Sequence, residues 1–503
     1  MPELKPRPEL KPGNDLVTAP IGPTLLAFAL PTLASSILQS ANGSIDTIWV
    51  GRLIGESAVA ATANGNLVMF LLTAFVFGFG MASTILVGQA VGRGDLDSAR
   101  RVVGTAVGAF LPVSLLLAAV GWFVAPHVLG VLGVAPEIEP LARDFLKVTF
   151  LALPAFLLMT MLMMILRGGG DAVTPLIFMA MAAVLDVFLN PVFILGLGPF
   201  PAMGVGGSAL ATAVGSYASL AAMLAYVYAR DLPLRLRGAE LGHLRPDGAI
   251  LRLMLAKGLP MGIQMIVVSG SMLAMMTLIN GRGVDTTAAF GATQQLWTYV
   301  QMPAMALGAA VSAMTAQNIG AGRWDRVGRI AQVGVGFNLA LTGGLVLLLL
   351  LVERAALELF LGQGGAAAEI GQHIVRIATW GFIPFGVTMV LFATVRANGQ
   401  VLWPLAILFV SMFPVRLGFA WGLQGLIGPD ALWLSFPAAM VATMVMAILL
   451  YRYGGWRKER DMRLRAAAIP DARPPAAALY SEAAPPGSPL AGNAPPLREG
   501  EAS

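Results

Sequence analysis

The sequence contains no cysteine and few charged residues. None of its 503 residues is cysteine, which excludes disulfide bonds and cysteine-ligated metal sites. The three histidines, His127, His243 and His373, lie far apart in the sequence, so we expect no histidine metal site. Charged residues make up 12% of the chain, whereas soluble globular proteins carry roughly 25%. This shortage of charge, beside an apolar content of 57%, excludes a soluble globular protein and a mainly disordered chain.

Long apolar runs dominate the sequence instead, and the mean hydropathy is +0.76. Runs of about 20 or more apolar residues, enough to cross a bilayer as a helix, cover residues 20 to 453 evenly. They predict an all-α integral membrane protein with twelve transmembrane helices and exclude an enzyme anchored by a single span. The predicted spans are residues 23–50, 58–86, 102–126, 145–166, 173–198, 205–229, 251–280, 287–314, 328–352, 374–395, 401–427 and 431–452.

Lys and Arg residues are distributed unevenly between the two sides of the predicted membrane protein. An even number of spans puts both termini on one side, and that side carries most of the basic residues, including the cluster from Arg452 to Arg465. Because cytoplasmic loops are enriched in Lys and Arg, we expect a plasma (inner) membrane protein with both termini in the cytoplasm. The net charge of +5 follows from this topology, and no basic patch with interleaved aromatic residues indicates nucleic-acid binding.

An internal repeat divides the chain into two halves. Residues 87–97 share Gln, two Gly and Asp with residues 315–325 at an offset of 228, and further matches follow at 229. Six spans in each half keep the halves in the same orientation, which predicts two six-helix bundles related by a pseudo-twofold axis along the membrane normal. The predicted parts are a cytoplasmic tail (1–19), an N-terminal lobe (20–230), a cytoplasmic amphipathic linker (231–250), a C-terminal lobe (251–453) and a disordered cytoplasmic tail (454–503).

Two acids, Asp46 and Asp186, are the only ones that fall inside the predicted spans and away from the loops. Each has an amide one helical turn away, Asn42 for Asp46 and Asn190 for Asp186. Charge inside a membrane is costly and usually functional, so we interpret these residues as one polar pocket that binds and releases protons. The alternatives are a hydrated position at the membrane interface for Asp46 and a structural hydrogen bond for Asp186. For Gln317, packing and a place on a substrate path remain equally open.

Several motifs resemble those of the multidrug and toxic compound extrusion (MATE) family. The resemblance covers residues 20–453, and the motifs are residues 29–31, 46–51, 78–83, 87–94, 166–168, Asp171, Pro175, 204, 209–212 and 317–322. It implies a transporter with two six-helix lobes that exports organic cations in exchange for H⁺ or Na⁺ by rocking between outward-open and inward-open states. By the same resemblance, Asp46 matches an acid of the first helix, Pro31 a proline where that helix can bend, and Thr212 a hydroxyl of the polar site.

The sequence departs from the family pattern in two places. The fifth helix of the family commonly reads Asn-x-x-x-Asp-Pro, whereas Asp186 and Asn190 have exchanged places here. Acids that some members carry in the seventh and tenth helices are absent near Val268 and Gly386, so we expect the N-terminal lobe to couple transport.

We therefore expect a monomeric secondary antiporter in the lipid bilayer, with organic cations as substrates. The chain has no motif for an enzyme or a nucleotide, and we expect no cofactor besides the coupling ion, H⁺ or Na⁺. The alternative is a lipid-linked oligosaccharide flippase of related fold. That function would require basic residues around the cavity, and Arg416 is the only arginine deep inside a predicted span.

Overall fold

The computed structural model describes residues 15–131, 137–362 and 365–457, and these ranges contain helices and no strand. Their long helices confirm the predicted twelve-helix membrane fold. The tail predicted to be disordered is 454–503; residues 454–457 are described, and Trp456 among them is buried, whereas residues 458–503 lie outside the described residues. The helices are α1 (Ile21–Leu53), α2 (Glu56–Gly92), α3 (Leu96–Val131), α4 (Glu139–Gly168), α5 (Val173–Leu195), α6 (Gly204–Ala229), α7 (Gly248–Asn280), α8 (Val284–Gly320), α9 (Trp324–Leu361), α10 (Ala366–Ala397), α11 (Leu402–Gly422) and α12 (Ala431–Tyr453).

Eleven helices of the described chain are long and apolar enough to cross a membrane. The remaining long helix, α8, has 37 residues and is more polar, since Gln301, Gln317 and Asn318 interrupt its apolar sequence. Two helices are locally irregular. Helix α10 passes through a 3-10 turn at Thr379–Gly381, and α11 contains a π-helical turn at Ser411–Val415. Pro414 lies in that π turn, and proline removes one backbone donor and crowds the preceding turn of a helix.

Two large clusters of buried apolar side chains each belong mainly to one lobe, and a third joins the lobes. The first lies in the N-terminal lobe and reaches the first turns of α7, the second lies among α7 to α12, and the third packs Leu25 of α1 against Leu307 of α8. The lobes meet where α2 crosses α7. A Cβ atom placed on Gly78 would lie 2.3 Å from the carbonyl oxygen of Gly258, so glycine is required for this close approach.

The segment that joins the lobes packs against α3. It forms a short 3-10 helix, Gly238–Leu244, and two ion pairs hold it, Arg100 to Glu240 at 2.7 Å and Arg101 to Asp247 at 2.8 Å. The Asp247 carboxylate also accepts a hydrogen bond from the backbone N–H of Ala249, which caps the start of α7. The linker is therefore attached to the N-terminal lobe along its length.

A further contact between the lobes consists of two equivalent hydrogen bonds. Gln89 Nε2 on α2 donates to the carbonyl oxygen of Ala397 at 2.6 Å, and Gln317 Nε2 on α8 donates to the carbonyl oxygen of Gly168 at 3.0 Å. We call these two bonds the interlobe glutamine pair. Gln89 and Gln317 are equivalent residues of the internal repeat, and each bond crosses from one lobe to the other. Gln317 thus makes a packing hydrogen bond.

Glycines next to the interlobe glutamine pair allow α2 and α8 to approach closely. A Cβ atom on Gly92 would lie 2.0 Å from the carbonyl oxygen of Gln317, and one on Gly320 would lie 2.1 Å from that of Gln89. Both ends of the described chain are near this contact. Asn318 donates to the carbonyl oxygen of Leu16 at 2.9 Å, and Asn398 donates to that of Trp456. The two lobes are therefore held together at the end of the molecule that carries both described chain ends.

Candidate functional site

A cavity of about 270 Å³ lies within the N-terminal lobe, among α1, α2, α4, α5 and α6. Asp46 and Asp186 both line it, together with Asn42 and Thr212. The rest of the wall is mainly apolar and unusually rich in methionine. Methionine is flexible and polarisable, so such a wall adapts to ligands of different shapes. The cavity-lining methionines and aromatic residues are Met69, Phe145, Phe156, Met159, Met163 and Met179.

Asp46 is attached to α5 through an amide. Asn190 Nδ2 donates to Asp46 Oδ1 at 2.9 Å and also to the backbone carbonyl oxygen of Asp186 at 3.0 Å. Asn190 is completely buried, whereas Asp46 is partly exposed to the cavity. The amide that follows Asp186 in sequence therefore donates to Asp46, and both positions of the exchanged pair lie near the acid of α1.

Asp186 is the more deeply buried acid, with 2% of its surface exposed. Thr212 Oγ1 on α6 donates to Asp186 Oδ1 at 2.9 Å, and the side chain of Asn42 lies beside the same carboxyl group. The other oxygen, Asp186 Oδ2, is buried and accepts no hydrogen bond from the described residues. Five of the residues selected from the sequence thus lie in one connected group across α1, α5 and α6.

The carboxyl groups of Asp46 and Asp186 line the same cavity, and Asn190 links the two residues by donating to Asp46 Oδ1 and to the backbone carbonyl oxygen of Asp186. Two carboxylates that share a poorly solvated place repel each other when both are ionised, and protonation of one removes this repulsion. The arrangement can therefore bind and release a proton, or hold a positively charged ligand when the proton has left.

Pro31 lies in α1 but outside this cavity. It precedes Asp46 by 15 residues, which is about 22 Å along a helix. Helix α1 continues through the proline, and the hydroxyls of Thr32 and Ser35 donate to the carbonyl oxygens of Phe28 and Pro31 at 3.0 and 2.9 Å. Any influence of Pro31 on the acidic pair must therefore act through the shape of the helix.

The C-terminal lobe has no acids at the two positions where some family members carry them. Val268 on α7 is exposed, and Gly386 on α10 packs against α9 so closely that a Cβ atom would lie 2.2 Å from Asn338 Oδ1. Nowhere in the described part of the chain do three or more His, Asp or Glu side chains form a group that could hold a metal ion.

The polar wall residues that sequence analysis missed include two amides, Gln39 on α1 and Asn66 on α2. Both are polar residues inside predicted spans, and that feature alone could have selected them. The methionines of the wall carry no such signal, because their sequence pattern does not distinguish a cavity wall from a packed core.

The MatE family model matches the chain twice, over residues 31–192 and over residues 260–421. This chain belongs to the MATE family. The second match begins 229 residues after the first, in agreement with the offset of the internal repeat. Members of this family are membrane transporters and not enzymes, so the chain is a multi-pass membrane transporter.

Relatives with assigned names extend over most of the chain. The chain is 33% identical over 439 residues to the probable multidrug resistance protein YoeA of Bacillus subtilis, covering 87% of this chain and 94% of that protein. It is 24% identical to the probable multidrug resistance protein NorM of Thermotoga maritima, with 86% and 93% covered. A further relative, 23% identical with 88% and 96% covered, is named an FAD transporter in Shewanella oneidensis.

Solved structures show the same fold. A transporter of the MOP superfamily from Pyrococcus furiosus has a TM-score of 0.81 at 18% identity, and 90% of this chain and all of that chain are covered. MATE structures described as straight and bent have TM-scores of 0.80 and 0.79, each at 19% identity, covering 92% and 91% of this chain and 99% of theirs. The two lobes and the pseudo-twofold axis predicted from the repeat are thus confirmed.

Proposed function

We propose that the protein is a multidrug efflux antiporter that exports small organic compounds, mainly cations, in exchange for H⁺. The observation that carries the proposal is the presence of Asp46 and Asp186 on one methionine-rich cavity. An ionised acid attracts a positively charged compound, and the apolar wall binds the rest of it. Relatives named multidrug resistance proteins support the substrate class. No Lys or Arg is among the described residues that line this cavity, which disfavours the alternative of a lipid-linked oligosaccharide flippase.

The acidic pair offers a site for H⁺ as the coupling ion, and Na⁺ is the alternative that the test must separate. The amide of Asn190 and the hydroxyl of Thr212 donate to one oxygen of each carboxyl group, whereas Asp186 Oδ2 and the amide oxygens of Asn42 and Asn190 are buried and have no hydrogen-bond partner among the described residues. A hard cation such as Na⁺ needs several such oxygen atoms directed at it. A proton needs only one oxygen, and protonation neutralises the pair, so that a bound cation is released. No cofactor takes part in this exchange.

The distribution of charge supports a plasma (inner) membrane orientation with both termini in the cytoplasm. Arg93, Arg167 and Arg326 lie at the helix ends next to the interlobe glutamine pair, where Leu16 and Trp456 also lie. Basic residues favour the cytoplasmic side. In this orientation the interlobe glutamine pair holds the cytoplasmic end closed. The monomer opens this end when its two lobes rock about the α2–α7 contact.

The test uses purified protein in liposomes that contain either an imposed pH gradient or an imposed Na⁺ gradient, with ethidium as substrate. Wild-type protein should transport ethidium in response to the pH gradient. Asp46→Asn keeps the shape of the side chain and removes its proton, so it should bind ethidium and lose gradient-driven transport. The control is Asp285→Asn, which changes an exposed acid in the first turn of α8.

If the Asp46→Asn variant transported ethidium at the wild-type rate, the role of the acidic pair in coupling would be contradicted. Transport that responds to Na⁺ and ignores the pH gradient would replace H⁺ by Na⁺ as the coupling ion. Equal loss of transport in Asp285→Asn would show that the assay reports general damage to the protein.

A further inference from the structure

An arginine is buried inside the C-terminal lobe, within the membrane-spanning part of α11. Arg416 follows the π-helical turn and has 6% of its surface exposed. Its guanidinium carbon lies 3.8 Å from the centre of the Phe436 ring on α12. On the α7 side, Nη1 lies 3.5 Å from Ser271 Oγ, and Nη2 lies 3.8 Å from Met272 Sδ. Arg416 therefore points into the lobe, between α7 and α12.

The partners of this guanidinium are weak for a buried charge. No acid of the described chain pairs with Arg416, and its Nε atom is buried without a hydrogen-bond partner. The contact with Ser271 is long for a hydrogen bond, and methionine sulfur is a poor acceptor. The Phe436 ring stabilises the positive charge from one face but leaves the donors in the plane of the guanidinium unsatisfied. Buried charges are normally paired, and unpaired ones within a membrane usually mark a binding site.

The internal repeat relates Arg416 to the acidic pair. The two family matches are offset by 229 residues, which places Arg416 at the position of Val187, next to Asp186. The same offset places Ser271 at the position of Asn42, the residue beside the Asp186 carboxyl group. In the C-terminal lobe, a positive charge thus stands one position after the equivalent of Asp186, on the helix that repeats α5.

We propose that Arg416 binds an anionic group of the transported compound, such as a carboxylate, sulfonate or phosphate. A guanidinium offers several donors in a fork that fits these groups. Met272 and the neighbouring Met412 are only half-buried and have flexible side chains, so they can move aside for the anion. Substrates then include zwitterions, whose positive end suits the acidic pair. This inference extends the proposed function, but binding at Arg416 does not depend on proton coupling.

Two dyes that differ in one group provide the test. Rhodamine 123 is a cation with a methyl ester, and rhodamine 110 carries a free carboxylate on the same ring system. Fluorescence anisotropy measures their binding to the purified full-length protein in a non-ionic detergent. Arg416→Met should weaken the binding of rhodamine 110 about tenfold or more, as expected for the loss of a charge-assisted hydrogen bond. Binding of rhodamine 123 should not change, and Arg416→Lys should retain part of the binding of rhodamine 110.

The matched control is Arg396→Met. Arg396 is also buried and lies over an aromatic ring, Phe392, at 5.4 Å, but it is at the end of α10 and away from Arg416. This variant should leave the ratio of the two affinities unchanged. If Arg416→Met does not insert into the membrane, Arg416→Gln provides the same comparison.

Three results would overturn the proposal. The first is that the wild-type protein does not bind rhodamine 110. The second is that an Arg416 variant changes the affinities for both dyes equally or changes neither affinity. The third is that phosphatidylglycerol displaces rhodamine 110. The last result would assign the site to a lipid headgroup. If Arg416→Met weakens only the binding of rhodamine 110, but the wild-type protein responds to no ion gradient, the antiport function is refuted and the anion site is supported.

Discussion

Removal of the interlobe glutamine pair should open the end of the molecule that it closes. The double variant Gln89→Ala, Gln317→Ala removes both amide donors and leaves the carbonyl oxygens of Ala397 and Gly168 without them. These oxygens belong to the last residues of α10 and α4, where a helix provides no donor of its own. Water can reach them only after the lobes separate, so the closed arrangement loses stability and the open one does not.

The size of the effect follows from the two bonds. One net hydrogen bond contributes about 1 kcal/mol, so the loss of two should cost the closed arrangement about 2 kcal/mol. Because every 1.4 kcal/mol corresponds to a tenfold change in an equilibrium constant, the ratio of closed to open molecules should fall roughly 30-fold. Each single variant should reduce the ratio by roughly fivefold, since the repeat makes the two bonds equivalent.

The absence of cysteine makes the assay direct. Asp97→Cys and Asp325→Cys introduce one exposed thiol into each lobe, next to the interlobe glutamine pair, and no other thiol can react with a label. Electron–electron distance measurements between two spin labels then report the populations of closed and open molecules. The double variant should show a smaller fraction of short distances than the protein with both glutamines.

Gln264→Ala is the matched control for this experiment. Gln264 is a buried glutamine on α7 that donates to the carbonyl oxygen of Val401 at 3.2 Å, and both residues belong to the C-terminal lobe. Its loss should destabilise that lobe without a change in the distance between the lobes. A double variant with an unchanged distance distribution would refute the reasoning, and so would an equal shift in Gln264→Ala.

Two further predictions concern α5 and α1. Asp186→Asn should abolish gradient-driven ethidium transport in liposomes, and addition of Asn190→Asp should restore a substantial part of it, because both positions reach Asp46 and Thr212 through one connected group. If the double variant inserts normally and stays inactive, the carboxylate is required at position 186 itself. Pro31→Ala should reduce turnover more than ethidium affinity, since proline weakens α1 far from the cavity; unchanged turnover would make Pro31 a static feature of the helix.

Several properties of the site could be predicted from sequence because each depends on few residues. Asp46 and Asp186 stand out since acids are rare in membrane helices, and helical spacing places Asn42 and Asn190 on their faces. Spacing along one helix cannot show which helices are neighbours. The Asn190 amide reaches Asp46 on α1 as well as the backbone of its own helix, and only the packed lobe shows this.

The sequence by itself determined the membrane fold, the twelve helices and the twofold repeat, because the length of each apolar run and the spacing of the repeated motifs can be read along the chain. Only the tertiary structure decided that Gln89 and Gln317 join the lobes, and that Arg416 is buried with no acidic partner among the described residues. The contacts of Gln89 and Arg416 join groups that lie more than a hundred residues apart in sequence. Helix packing creates these relations, and a pattern along one helix contains no record of them.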